Sequence, residues 1–175
     1  MSRELAGAAA YRVRQFFAAV KAGSLSEADR ALVQRYLTPA QLQLFERMPA
    51  NDQQHAIAVA SRLLDWGWHD QTLIQAALLH DIGKADGGLN LAYRVAIVLL
   101  RAFWPAGLEW LAASDTGWRR PFYIHHHHPE IGARLAAEAG SSPRVVELIL
   151  QHQSPANTRG ESGELVALKA ADERS

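Results

Sequence analysis

The sequence contains no cysteine. Disulfides and thiolate metal sites are therefore excluded, and any bound metal must be held by His, Asp, Glu or water. Excess charge is missing as well: 18 Lys and Arg balance 18 Asp and Glu, and the pI is about 7.1. That balance gives no reason to expect nucleic-acid binding through a broad basic surface. No apolar run is long enough to span a bilayer; the most apolar, Val95–Leu100, falls far short. Arg3, Glu4, Arg12 and Arg14 interrupt the start of the chain, so no leader pattern stands there and a cytoplasmic protein is expected. Convincing apolar–polar alternation, internal repeats and low-complexity linkers are absent too, which leaves an all-α fold.

Helical periodicity is what the sequence does have. Its 175 residues, 49% of them hydrophobic, are enough for one domain with a sizeable core. Leu73, Ala76, Ala77 and His80 stand at i, i+3, i+4 and i+7, so an imidazole closes an apolar face. Asp81 follows at once, and Gly83 is expected to end the helix in a left-handed turn. Val145, Leu148, Ile149 and His152 repeat that spacing, and Leu165, Leu168 and Asp172 end a third face in an acid. A buried carboxylate without a partner costs several kcal/mol. A metal ion would supply that partner and accept the imidazole beside it.

His55, His80-Asp81 and Asp172 together resemble the ordered H…HD…D signature of the HD-domain metal-dependent phosphohydrolases. His80-Asp81-Ile82-Gly83-Lys84 looks like the HDIG branch, and so does His128-Pro129-Glu130-Ile131-Gly132, whose histidine would be a further ligand. The resemblance covers residues 51–173 and implies an HD-like helical bundle with its metal site in the core. Residues 51–175 would be the catalytic core and residues 1–50 a helical cover within the same domain. By the same resemblance His55, His80, Asp81 and Asp172 would be primary ligands. His128 and His152 would complete a second site, with Asp81 bridging. One or two divalent ions are implied, and mixed His and carboxylate ligation suits Mn, Fe, Co, Ni or Zn, with Mg also admissible.

The rest of the chain reads as helices around that core. Val13, Phe16, Phe17 and Val20 form one stripe, and Leu32, Val33, Tyr36 and Leu37 another. Thr38, Pro39 and Gln41 start a third helix whose buried side is Leu42, Phe45 and Met48. Asn51 and Gln54 are expected to cap a helix over 52–66, with His55, Ala58, Val59 and Leu63 on one face. Residues 89–113 read as two packed helices; an in-plane membrane contact through Trp104 and Trp110, or an active-site lid, are the alternatives. Thr116–Pro121 is a loop whose Arg119 and Arg120 are either solvated charge or a phosphate clamp. His125–His128 lead into a helix with Pro129 in its first turn and Gly140 as its stop, and Ser142 and Pro143 open the next. Arg159 sits in the polar loop Ser154–Gly163.

The implied reaction is hydrolysis of a phosphomonoester or phosphodiester, with a nucleotide as the leading substrate class by resemblance. Asp81 and Lys84 are the candidate catalytic residues; Lys84, Arg119, Arg120 and Arg159 are the candidate substrate contacts. Three departures bear on the substrate. Lys84 stands where the nucleotidase-like branch carries Glu, and Gln151 replaces the first of two adjacent histidines. Gln153-Ser154-Pro155-Ala156 replaces the Gly-Tyr-Pro segment of the cyclic-dinucleotide phosphodiesterases. The competing reading is a non-catalytic HD-fold domain that senses a nucleotide or binds a partner.

Overall fold

The computed structural model describes residues 25–155 and 161–175. The stripe Val13–Val20 and Arg159 lie outside the described residues. Among those residues there are nine α-helices and no strand. In chain order they are α1 Glu27–Tyr36, α2 Pro39–Glu46, α3 Ala50–Asp65, α4 Gln71–Leu79, α5 Leu91–Phe103, α6 Pro105–Ala112, α7 Arg120–Glu138, α8 Pro143–Gln151 and α9 Gly163–Glu173. Short 3-10 turns occupy Ile82–Lys84 and Gly117–Arg119. Leu25–Asp86 and His127–Ser175 form one compact unit, and Gly87–His126 belongs to a second.

Local chemistry accounts for most helix starts in the larger unit. Ser26 with Asp29, and Thr38 with Gln41, make reciprocal capping boxes, and Pro39 occupies the first turn of α2. Asp70, Ser142 and Ser162 cap α4, α8 and α9 by accepting from the backbone three residues on. Helix α3 departs from expectation. It starts at Ala50 behind Pro49, with no side-chain cap, so Asn51 is already helical and its amide donates instead to Asp52.

Helix α4 is the axis of this unit. Leu73, Ile74, Ala76, Ala77, Leu78 and Leu79 are all fully buried, as befits a helix apolar all round. It packs against α1, α2, α3, α8 and α9. Its one buried polar residue, Gln75, donates to the Tyr36 carbonyl at 2.8 Å. Val145, Leu148 and Ile149 of α8 and Leu165 and Leu168 of α9 face the same core, as their spacing requires. On α3 the buried apolar set is Ala56, Ile57, Val59, Ala60 and Leu63. Ala58, expected on that face, is exposed.

Two glycines set how closely α7 approaches the turn after α4. Gly83 does not adopt a left-handed turn; its backbone lies in the 3-10 turn Ile82–Lys84. A Cβ there would stand 2.1 Å from the His128 carbonyl oxygen and 2.8 Å from the Gly132 nitrogen. Glycine is required for contact, not for torsion. Gly132 returns the relation, since its Cβ would lie 3.3 Å from the Gly83 nitrogen. Pro129 sits well inside α7 and not in its first turn. The buried Phe122 and Ile124 extend the helix upstream of the histidine run. Gly140, at φ 78, stops it as expected.

In the second unit α5 and α6 surround a small cluster of Ile97, Leu111 and Phe122, with Tyr93 edge-on to Phe122 at 5.4 Å. Residues 89–113 are thus two helices, yet much of their apolar surface stays exposed.

Gly83→Ala should destabilise the protein by about 1–3 kcal/mol or more, because the added methyl meets backbone that cannot step aside. Urea unfolding checks this; an unchanged midpoint would show that the contact is dispensable.

Candidate metal centre

Helices α4 and α8 end in the same way. His80 is the C-cap of α4 and its Nδ1 meets the Ala77 carbonyl at 2.7 Å; His152 is the C-cap of α8 and its Nδ1 meets the Ile149 carbonyl at 2.6 Å. Each imidazole satisfies a carbonyl of the last turn that has no helical partner. Donation from Nδ1 selects the tautomer with a bare Nε2, the arrangement by which a backbone carbonyl orients a metal-binding histidine. Helices α8 and α9 are tied by Arg144, whose Nε donates to Glu164 at 3.0 Å, so His152 and Asp172 are delivered together.

The side chains converge tightly. Asp81 Oδ1 lies 3.6 Å from His80 Nε2, 3.3 Å from His128 Nε2 and 3.8 Å from His152 Nε2. Asp172 Oδ1 lies 2.8 Å from His55 Nε2 and 3.6 Å from His80 Nε2. His128 and His152 bring their Nε2 atoms to 3.2 Å. Two groups have the spacing to hold an ion: His55, His80 and Asp172, and His80, Asp81 and His152. Burial is graded across the cluster. The His80, His128 and His152 side chains are sealed, whereas His55 and Asp172 are exposed by 29% and 25%. That end of the cluster is the more exposed one.

The electrostatics follow from this crowding. Burial opposes charge on His80, but Asp81 and Asp172 outweigh it and push its pKa up to about 9. Burial, with His80 beside it, pushes His152 down to about 3. Burial works against ionised Asp81 too, yet Lys84 and the imidazoles of His80 and His128 hold it well below the usual carboxylate range. His55 and His80 hold Asp172 low in the same way against its own burial.

These residues fit a metal ion. His80 Nε2 is fully buried and has no hydrogen-bond partner among the described residues. Asp81 Oδ1 is likewise without a hydrogen bond, although the Lys84 ammonium stands 2.7 Å away. Orphaned buried groups of this kind call for an ion or a water. Ligand atoms placed around one ion at ordinary bond lengths stand about 3.0–3.4 Å apart, close to the separations here. The HD-domain family profile matches residues 53–175, most of the chain. The chain belongs to the HD-domain family. Most HD domains belong to a superfamily of metal-dependent phosphohydrolases, and the all-α architecture is the one the family has. No curated protein and no solved structure matches the chain.

His55, His80, Asp81, His128, His152 and Asp172, the ligands implied by the resemblance, are therefore in one place. Lys84 is there too, straddling the Asp81 carboxylate. Arg119 and Arg120 belong to the other compact unit. The Arg119 guanidinium stacks on Trp110 at 4.4 Å and donates to the Trp110 and Leu111 carbonyls. It closes the end of α6 through those contacts. Arg120 is exposed at the start of α7. Unforeseen from the sequence were the Ala77 and Ile149 carbonyls that orient His80 and His152. The signal was present: each histidine follows its acceptor by three residues at a helix end.

Asp81→Ala should lose bound metal, measured by elemental analysis of the purified protein; full occupancy in that variant would contradict the site. Affinity should also depend on pH. The His80 proton must leave before an ion enters, and in the metal-free chain it leaves only as pH rises through about 9. Binding should therefore tighten from neutral pH up to that point and then level off. A flat competition titration would count against His80 as a ligand.

Proposed function

We propose that this HD domain is a metal-dependent phosphohydrolase of the HDIG type that cleaves a phosphomonoester or phosphodiester, with a nucleotide as substrate. The convergence of four imidazoles and two carboxylates around the unpartnered Nε2 of His80 carries the reading. His55, His80, Asp81 and Asp172 would hold a first divalent ion of the Mn, Fe, Co, Ni, Zn or Mg group. His128 and His152 would hold a second, with Asp81 between the two. Such an ion supplies an activated water and polarises a phosphoryl oxygen.

The chain's own residues supply the rest. Asp81 stays ionised across the working pH range, because Lys84, His80 and His128 outweigh its burial, so its carboxylate can accept a hydrogen bond from the attacking water. Lys84 keeps its ammonium 2.7 Å from that carboxylate with its stem mostly covered. Positive charge fixed there stabilises phosphoryl oxygens as they gain charge. The half-open flank at His55 and Asp172 admits substrate, while the sealed flank at His128 and His152 excludes bulk water. Residues 51–175 are the core of this machinery. The segment 25–50 covers it, with Val33, Phe45 and Met48 packed into the same apolar cluster.

One observation supports a second reading. The Lys84–Asp81 pair neutralises the buried carboxylate without an ion. A domain so balanced could bind a nucleotide or a partner without turning it over.

A panel of phosphorylated substrates, tested on the metal-loaded protein, separates the two. On an accepted substrate Lys84→Ala should lower kcat by about 10²-fold. Metal content should hold, and the melting temperature should fall only in the metal-free form, where Asp81 would lose its counter-charge. Unchanged turnover in the variant would refute the catalytic role. Bound metal with no turnover on any substrate would favour the sensing domain.

A further inference from the structure

Helices α8 and α9 run in the same sense. Arg144 and Glu164 meet near their N-terminal ends. Ser154, two residues past His152, meets Lys169 in the second half of α9. The chain therefore leaves α8 at one end of the pair and enters α9 at the other. Its connection ties His152 to the start of α9, not to the end that carries Asp172. The last buried apolar residue of α8 is Ile149, so the turn that follows needs another hold.

Lys169 supplies it. The ammonium donates to the Ser154 hydroxyl at 2.8 Å and to Glu161 Oε1 at 2.7 Å. The Ser154 hydroxyl in turn donates to the Gln151 carbonyl at 2.8 Å, and the Ser154 N–H does so at 2.9 Å. One side chain of α9 thus grips the end of α8 through residues on either side of His152. Asp172 lies three residues on from Lys169, on the same side of α9. The Lys169 and Glu161 side chains are only 13% and 12% exposed. An ion pair taken that far out of water contributes little net stability, because desolvation offsets its attraction. What its charge-assisted hydrogen bonds do supply is fixed geometry.

We propose that Lys169 is a positioning residue of the metal centre, locking the turn that carries His152 to the helix that carries Asp172. The inference rests on the metal reading of the cluster and not on phosphoester hydrolysis. His152 belongs to one of the two groups with the spacing to hold an ion, Asp172 to the other, and His80 to both. The junction at Lys169 therefore sets how far apart the two groups stand.

Cobalt(II) titration of the full chain, followed by its visible absorption, tests this. Lys169→Met keeps a long stem and removes the donor. It should weaken cobalt binding about tenfold, the lower end of what contacts behind the ligands contribute, and it should shift the ligand-field bands. Lys169→Arg, which keeps the charge and the donor, should restore both. Ser154→Ala cuts the bridge to α8 but leaves the Lys169–Glu161 pair, so it should shift the bands in the same direction; it decides the matter where Lys169→Met fails to fold. A merely structural lysine would lower the urea midpoint and leave affinity and spectrum unchanged. That result in the folded variants overturns the proposal. If the unmodified chain takes up no cobalt, the metal reading falls and this inference with it.

Discussion

Desolvation is the constraint on which the rest of this structure depends. His80, Asp81, His128 and His152 are sealed from water, and each would be expensive to bury alone. They are tolerated because each is partly answered by a neighbour: backbone carbonyls on the Nδ1 atoms of His80 and His152, Lys84 on Asp81, and the His152 imidazole on that of His128. What stays unanswered is the Nε2 of His80, at the centre. An interior that leaves the Nε2 of a fully buried imidazole without a hydrogen-bond partner among the described residues could hold a metal ion.

That arrangement depends on the packing of α4. A helix with no polar face must be covered on all sides, and α1, α2, α3, α8 and α9 cover it. Covering it brings together the ends of α4 and α8, and with them His80 and His152. The paired glycines do the same for α7. Because Gly83 and Gly132 lack side chains, their backbones nearly touch, and His128 is drawn beside Asp81. The chemistry of the centre is thus a consequence of apolar faces that must be buried, with each functional group placed one step past the last apolar residue.

Much of this was legible in the sequence, and the exceptions have physical causes. The spacing of Leu73, Ala76, Ala77 and His80 marked a buried face directly, and Ser142-Pro143 and Thr38-Pro39-Gln41 marked helix starts through local hydrogen bonding. Gly83 was misread because a glycine after a helix has two uses, left-handed torsion and close contact, and only the tertiary structure tells them apart. Asn51 failed as a cap because Pro49 starts the helix two residues earlier. Arg119 could not be assigned from sequence, since its partners are carbonyls of α6 and the face of Trp110, and neither pairing leaves a pattern in the residues between. The open flank at His55 and Asp172 was likewise hidden, because exposure is set by what the neighbouring helices leave uncovered.

The claim at the centre is that this cluster is a metal site. Anomalous scattering from a crystal of the full chain grown with manganese tests it most directly. The account predicts a peak bounded by His55, His80, Asp81 and Asp172, with a second beside His128 and His152 if the centre holds two ions. Density with no peak there would contradict it.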